Sequence, residues 1–240
     1  MASEFIPCET PIHHGQVADR QMSQETLKWL RLFVPGVLLF LVLPPLFLKT
    51  WDLSALADRF ASLDLLRDSA VVVVLGALYT LLNLRRPALR SSLRRINDNI
   101  KDHLLGSCSG YTEISQAAAK LRNGRTLMHV FYRFIDRDPS LQEKAKAVRF
   151  NGLLWTSIAD VATIGVLSAL AYLIAFAIHD RSHYLGMSLA SAIAFLVSYL
   201  LLMPLVVRHH IDLSNEQLEF IDQQFRGDLC NELKRIARGS

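Results

Sequence analysis

Apolar residues in this chain gather in four long blocks, and between the blocks they recur every three or four positions. The longest block, Asn151 to Ile178, reads NGLLWTSIADVATIGVLSALAYLIAFAI and contains one ionisable residue, Asp160. At ~1.5 Å of rise per helical residue it reaches about 42 Å, against a hydrocarbon core about 30 Å thick, so it predicts a membrane span. Tyr184 to Val207 predicts a second span after a short connection. Leu32 to Leu48 and Ser69 to Leu84 predict an earlier hairpin. Trp29 and Trp51 bracket its first member, as amphipathic rings do at headgroup level, and Pro44-Pro45 predicts a distorted last turn. Its second member has 16 uncharged residues, short enough to thin the bilayer or to recruit Asp64 to Asp68 as a polar first turn. Between them, Leu53, Leu56, Ala57, Phe60, Leu63 and Leu66 predict an amphipathic helix on the membrane surface within residues 49–68.

The polar stretches carry helical periods as well. After Arg85, residues Leu89, Leu93, Ile96, Ile100 and Leu104 share one face of a helix flanked by Arg90, Arg94 and Lys101. A turn over Gly106 to Gly110 leads to helices at Thr112 to Arg122 and Thr126 to Ile135, broken at Asn123-Gly124. Asp138-Pro139 ends the second, and Ser140 with Glu143 predicts a capping box for the next. Unless Asn151-Gly152 breaks it, one helix runs from Leu141 into the third span. Ser214 with Gln217 predicts another capping box, opening a C-terminal helix with Leu218, Ile221, Phe225, Leu229 and Leu233 on one side; Ser23 is the expected N-cap of the helix entering the first span.

The pattern therefore predicts an all-α integral membrane protein, with four transmembrane helices in two hairpins, a helical cytoplasmic module and a C-terminal cytoplasmic helix. The divisions are an N-terminal tail with the helix leading into the membrane (1–31), the first hairpin (32–84, spans about 32–48 and 69–84), the module (85–150), the second hairpin (151–207, spans about 152–178 and 184–207) and the C-terminal helix (208–240).

Composition and charge add orientation. The chain is 51% hydrophobic with a mean hydropathy of +0.25, more apolar than a soluble domain. Residues 85–150 hold 14 Lys or Arg against 6 Asp or Glu, a net charge of +8, and positive loops stay cytoplasmic, which places both termini inside. The first 28 residues have no apolar core of signal-peptide type. Short external loops without a glycosylation acceptor fit a bacterial plasma (inner) membrane. Cys8, Cys108 and Cys230 form no CxxC, so neither a disulfide framework nor a sulfur-rich metal site is expected, and free thiols suit a reducing compartment.

Candidate chemistry centres on Asp160, which lies in the cytoplasmic third of its span. Counted from the same membrane edge, Tyr79, Thr80, Ser198 and Tyr199 fall at similar depth, with Asn83, Thr156 and Thr163 nearby, and predict an intramembrane polar layer. An intramembrane carboxylate is costly unless paired, protonated or wet; it serves either as part of a proton or cation path or as a packing strut. Arg85, Arg86, Arg90, Arg94 and Arg95 predict binding of anionic lipid headgroups or another anionic ligand. The pairs His13-His14 and His209-His210 lack HxxxH or HExxH spacing, so no metal site is assigned, and no cofactor. Two rows of small residues, Gly186, Ala190 and Ala194, and Gly165, Ala169 and Leu173, predict close helix packing. No GxSxG, HExxH, GxxxxGK[ST] or paired-aspartate motif is present, so no catalytic residue is named and the chain reads as a non-enzyme.

The functional expectation is a homo-oligomeric inner-membrane effector or channel-like protein, whose basic module senses a ligand or partner and couples it to the spans. The alternative is a non-conducting anchor or scaffold that recruits a soluble protein, or more weakly a nucleic acid, to the membrane. A small transporter ranks third, because four spans leave little room for alternating access unless two copies pair.

Overall fold

The computed structural model describes residues 24–47 and 65–239, and every regular element among them is helical. Ser23, Trp51, Cys8, His13-His14 and residues 49–64 of the expected surface helix lie outside the described residues.

The first hairpin comprises α1 (Gln24–Val42), the short α2 (Pro44–Phe47) and α3 (Leu65–Leu81). The break at Leu43 is the distortion expected from Pro44-Pro45, which cannot supply the N–H groups of a continuing helix. α3 begins before Ser69, drawing Leu65 to Asp68 into its first turn. Two glycines make the hairpin. A Cβ on Gly36 would sit 2.0 Å from the Val72 carbonyl oxygen, and one on Gly76 would sit 2.0 Å from that of Leu32, so each helix presses its backbone into the other.

Residues 82–85 then turn the chain, with Asn83 in the left-handed region (φ 52°) that asparagine tolerates. The helix axis bends by 64° into α4 (Arg86–Ser107), which is followed by α5 (Thr112–Asn123) and α6 (Thr126–Arg137). Their starts at Thr112 and Thr126 are those expected, with Gly110 and Gly124 in the breaks, while α4 runs through Gly106 to Ser107, α5 ends one residue past the expected Arg122 and α6 two past Ile135. The three helices bury one apolar cluster through Ile100, Leu104, Ile114, Leu121, Leu127 and Val130.

α7 (Pro139–His179) is one uninterrupted helix, so Asn151-Gly152 does not break it. Instead, Asn151 Nδ2 donates to the Val206 carbonyl (3.1 Å) and fastens α7 to the returning chain. The N-cap differs from expectation: Asp138, not Ser140, accepts from the Ser140 and Leu141 amides at 2.8 and 3.0 Å. A residue before proline is held extended, which is the N-cap conformation, and Pro139 then occupies the first helical turn. Glu143 pairs with Lys146.

Asp180 ends α7 in the left-handed conformation, and α8 (Ser182–Leu196) starts two residues later. A π-helical turn, Val197–Leu202, joins α8 to α9 (Met203–Gly239), making one helix from Ser182 to Gly239. The π turn has a local cause: Pro204 would clash with the Leu200 carbonyl in a regular helix, and widening lets the Met203 amide bond the Ser198 carbonyl instead. The second capping box is therefore absent. Ser214 lies mid-helix and its hydroxyl donates to the His210 carbonyl at 2.8 Å. A single non-helical residue, Phe225, kinks α9 as it folds along the module, burying Leu218, Ile221, Leu229 and Leu233 in the module's cluster.

The free-thiol expectation fails for two cysteines. Cys108, after α4, and Cys230, on α9, are joined in a disulfide across 122 residues of sequence. The pairing has no sequence signature, because it depends on α9 returning to the end of α4.

Both hairpins run in one direction. Tyr172 on α7 hydrogen-bonds the Val42 carbonyl and Tyr184 on α8 bonds that of Leu46 at 3.4 Å, so the far ends of α1, α7 and α8 meet. Two helices, Pro139–His179 and Ser182–Gly239, are long and apolar enough to cross a membrane, or three if the bent pair Ser69–Leu81 and Arg86–Ser107 is one broken span. This suits a membrane protein. α1, with Lys28 and Arg31 in its first half and Pro35 at its centre, is not among them.

Candidate functional site

Asp160 projects from α7 where α3 ends and the chain turns toward α4. Its side chain is 1% exposed and faces Arg85 at 3.4 Å, the first arginine of the basic run. The Asn83 turn is what swings Arg85 inward. Tyr79, buried on α3, faces Asp160 and Thr163 without full hydrogen-bond geometry to either, and the second Asp160 oxygen and the Thr80 hydroxyl are likewise buried without a partner. Thr163 and Thr156 spend their hydroxyls on backbone carbonyls of their own helix.

The structure thus brings together Asp160 and Tyr79 and adds Arg85, which the sequence pattern had assigned to a lipid-facing group; Thr80 follows Tyr79 on α3 without a contact to Asp160. It leaves out the other two predicted members. Ser198 is buried in the π turn against α7, and Tyr199 turns outward, stacked on Phe195 with ring centroids 5.7 Å apart. Widening the helix by one residue per turn at Val197–Leu202 shifts the angular register that the depth count assumed. Arg86, Arg90, Arg94 and Arg95 are exposed along α4, whereas Arg85 faces Asp160.

A cavity of about 480 Å³ opens beside the Asp160 pair, between α1, α4, α6, α7 and α9. Arg31, Arg85 and Arg149 line it against one carboxylate, Asp136, with Leu89, Leu93, Ile96, Ile100, Phe131 and Ile135 forming apolar wall. Four of its lining residues have a buried polar atom without a partner: Arg31 Nε, Trp155 Nε1, His210 Nδ1 and Gln217 Nε2. A buried group left unsatisfied costs about 1–3 kcal/mol, so four of them on one cavity call for a partner such as water, an ion or a ligand. Gly152 borders two of these groups: a Cβ on it would make ordinary contact with Arg31 Nη2 at 3.4 Å and Trp155 Nε1 at 3.7 Å. Burial, with the neighbouring His209 charge, lowers the pKa of His210 and favours the neutral imidazole, whose edge meets the Trp155 ring at 6.1 Å.

Sequence reasoning missed Arg31, Arg149, Trp155 and Gln217. Each sits on a different stretch of sequence or on an ordinary helical face, and no spacing links them. The only available signal was the presence of Arg31 and Trp155 beside apolar spans.

A smaller cavity of about 420 Å³ lies between α6 and α9, lined by Arg133, Arg137, Arg235, Asp228 and Glu232. Hydrogen bonds from Arg235 and Arg133 hold the Glu232 carboxyl below its ordinary pKa, so its charges are largely matched within the chain. Among the described residues no group of three or more His, Cys, Asp or Glu is placed to hold a metal ion.

No protein-family model, curated protein or solved structure matches this chain.

Proposed function

We propose that the chain is a homo-oligomeric inner-membrane effector with four spans in two hairpins. Its basic module and both termini face the cytoplasm, and the module receives a ligand or partner and passes its state to the spans. The observation that supports this reading is helix continuity. α7 runs without interruption from the module core at Leu141 to His179, and the helix Ser182–Gly239 returns into the same core at Leu218 to Leu233. A change in module packing is thereby transmitted along continuous helix, through α7 and through the π turn and kink of the returning helix, rather than lost in a linker. Charge supports the orientation, through the +8 of residues 85–150, while the Cys108–Cys230 disulfide weighs against a reducing compartment for the module.

A non-conducting anchor is favoured by a different observation, the closure of Asp160 by Arg85. An ion path in the effector would then run between copies, with Asp160 acting on it through helix packing.

Two measurements separate the readings: light-scattering mass of the protein in detergent, with the detergent subtracted, and ion flux from proteoliposomes of wild type and Asp160→Asn. The effector reading expects a closed ring of several copies and a several-fold change in flux on substitution. A monomer without flux leaves the anchor.

A further inference from the structure

We propose that the cavity between the module and the spans binds an anionic amphiphile, a phosphate or carboxylate head on an apolar body. The inference rests on the reading of the module as a ligand-receiving unit at a membrane and names the site and the chemical class.

Three independent features converge on that class. The lining is electropositive, with Arg31, Arg85 and Arg149 against Asp136, and Arg85 is only partly spent on Asp160, at a long 3.4 Å. Its unsatisfied groups are chiefly donors: Arg31 Nε, Trp155 Nε1 and Gln217 Nε2 carry N–H groups with nothing to bond, and Trp155 and Gln217 are more than nine-tenths buried. An anionic head supplies several acceptor oxygens at once, which a water or an apolar group does not. The opposite wall is apolar, through Leu89, Leu93, Ile96 and Phe131, so it excludes a fully hydrated anion and accommodates hydrocarbon.

Position fits as well. Arg31, Arg85, Gly152 and His210 lie where the four apolar blocks meet the module, the level at which an amphiphile places its head beside a bilayer. Gly152 borders the donors, so a long side chain such as leucine placed there extends toward Arg31 and Trp155 and into the space between them. At about 480 Å³ the space is of small-molecule size.

Trp155 is itself the reporter. In full-length protein in uncharged detergent, with Trp29 and Trp51 replaced by phenylalanine, decyl phosphate is expected to change Trp155 fluorescence saturably, and decanol is not. Arg149→Gln and Gly152→Leu each raise the apparent Kd at least tenfold. Arg94→Gln, on the exposed face of α4, leaves it within twofold, and circular dichroism confirms that the helices persist in each variant. Absence of saturable binding overturns the proposal, as does equal weakening by Arg94→Gln or equal binding of decanol.

Nanodiscs separate two sources of the head group. If phosphatidylglycerol discs raise the apparent Kd relative to phosphatidylcholine discs, the natural occupant competes from the bilayer. If the two agree, it is a soluble amphiphile. Binding without ion flux would overturn the effector reading alone, and flux without binding would overturn the cavity's ligand alone.

Discussion

The module and the apolar helices draw on different residues for their packing. In the module the buried positions are large and apolar, including Leu104, Ile114, Leu127, Leu141, Ile221 and Leu233, while charge covers the outside in exposed pairs such as Arg122–Asp102 and Arg238–Glu113. In the apolar helices α1, α3, α7 and α8, small residues such as Gly36, Gly76, Ala162, Gly165, Ser168, Ser188 and Ser191 share the buried contacts with Tyr79, Ile164, Tyr172 and Tyr184, while Leu170, Ile174, Leu189 and Ile193 point outward. Water rewards burial of large side chains and so builds the first arrangement. Lipid is as apolar as leucine and offers no such reward, so helices associate there through close backbone approach and hydrogen bonds between them, such as Ser188 to the Ala169 carbonyl at 2.8 Å. The Arg31–Arg85–Asp160 region lies between the two kinds of packing.

The comparison can be broken by substitutions that respect one kind of packing and violate the other. The largest effect is expected from Gly76→Leu, because a backbone carbonyl 2.0 Å from the new Cβ cannot yield without parting α1 from α3. A loss of more than about 3 kcal/mol is expected on thermal unfolding in micelles, whereas Gly186→Leu, whose Cβ meets open space, changes stability by no more than about 0.5 kcal/mol. Equal stability of the two variants would mean that the hairpin is not held by its glycines.

Next is a leucine pair. Leu127→Ala empties a site with 0% exposure in the module and should cost about 3 kcal/mol, while Leu170→Ala, 55% exposed on α7, should cost about 0.5 kcal/mol or less in the same micelle. Similar losses would show that the outer face of α7 is covered by another copy, which would sharpen the oligomer reading.

The smallest of the three is Cys230→Ser, expected to lower the module's stability by about 2 kcal/mol through loss of the loop-closing bond, with Cys108 left as a buried thiol. Reductant should have the same effect on the wild type and none on the variant. A thiol count of three in native protein denatured without reductant would show that the bridge does not form in the cell.

Much of the fold was legible in the chain, and the reason is local. Helix starts at Thr112 and Thr126 follow from the glycine-containing breaks before them, and the apolar faces of α4 and α9 follow from a period of 3.6. Length and hydropathy likewise marked Asn151 to Val207 as membrane-compatible. What failed was whatever needed a second helix for its meaning. Ser214 with Gln217 reads as a start signal only if the helix has not already begun, and the small-residue row Gly186, Ala190 and Ala194 faces away from α7 while Ser188 and Ser191 take the contact. Cys108 and Cys230 meet only because α9 folds back. Arg85 leaves its basic neighbours for Asp160 only because Asn83 turns the chain, and Arg31, Arg149, Trp155 and Gln217 share a cavity that no single segment contains. Hydrophobic period and chain breaks are properties of adjacent residues and were written in the sequence; charge pairing, sulfur pairing and the cavity are sums over distant segments, which only tertiary packing decided.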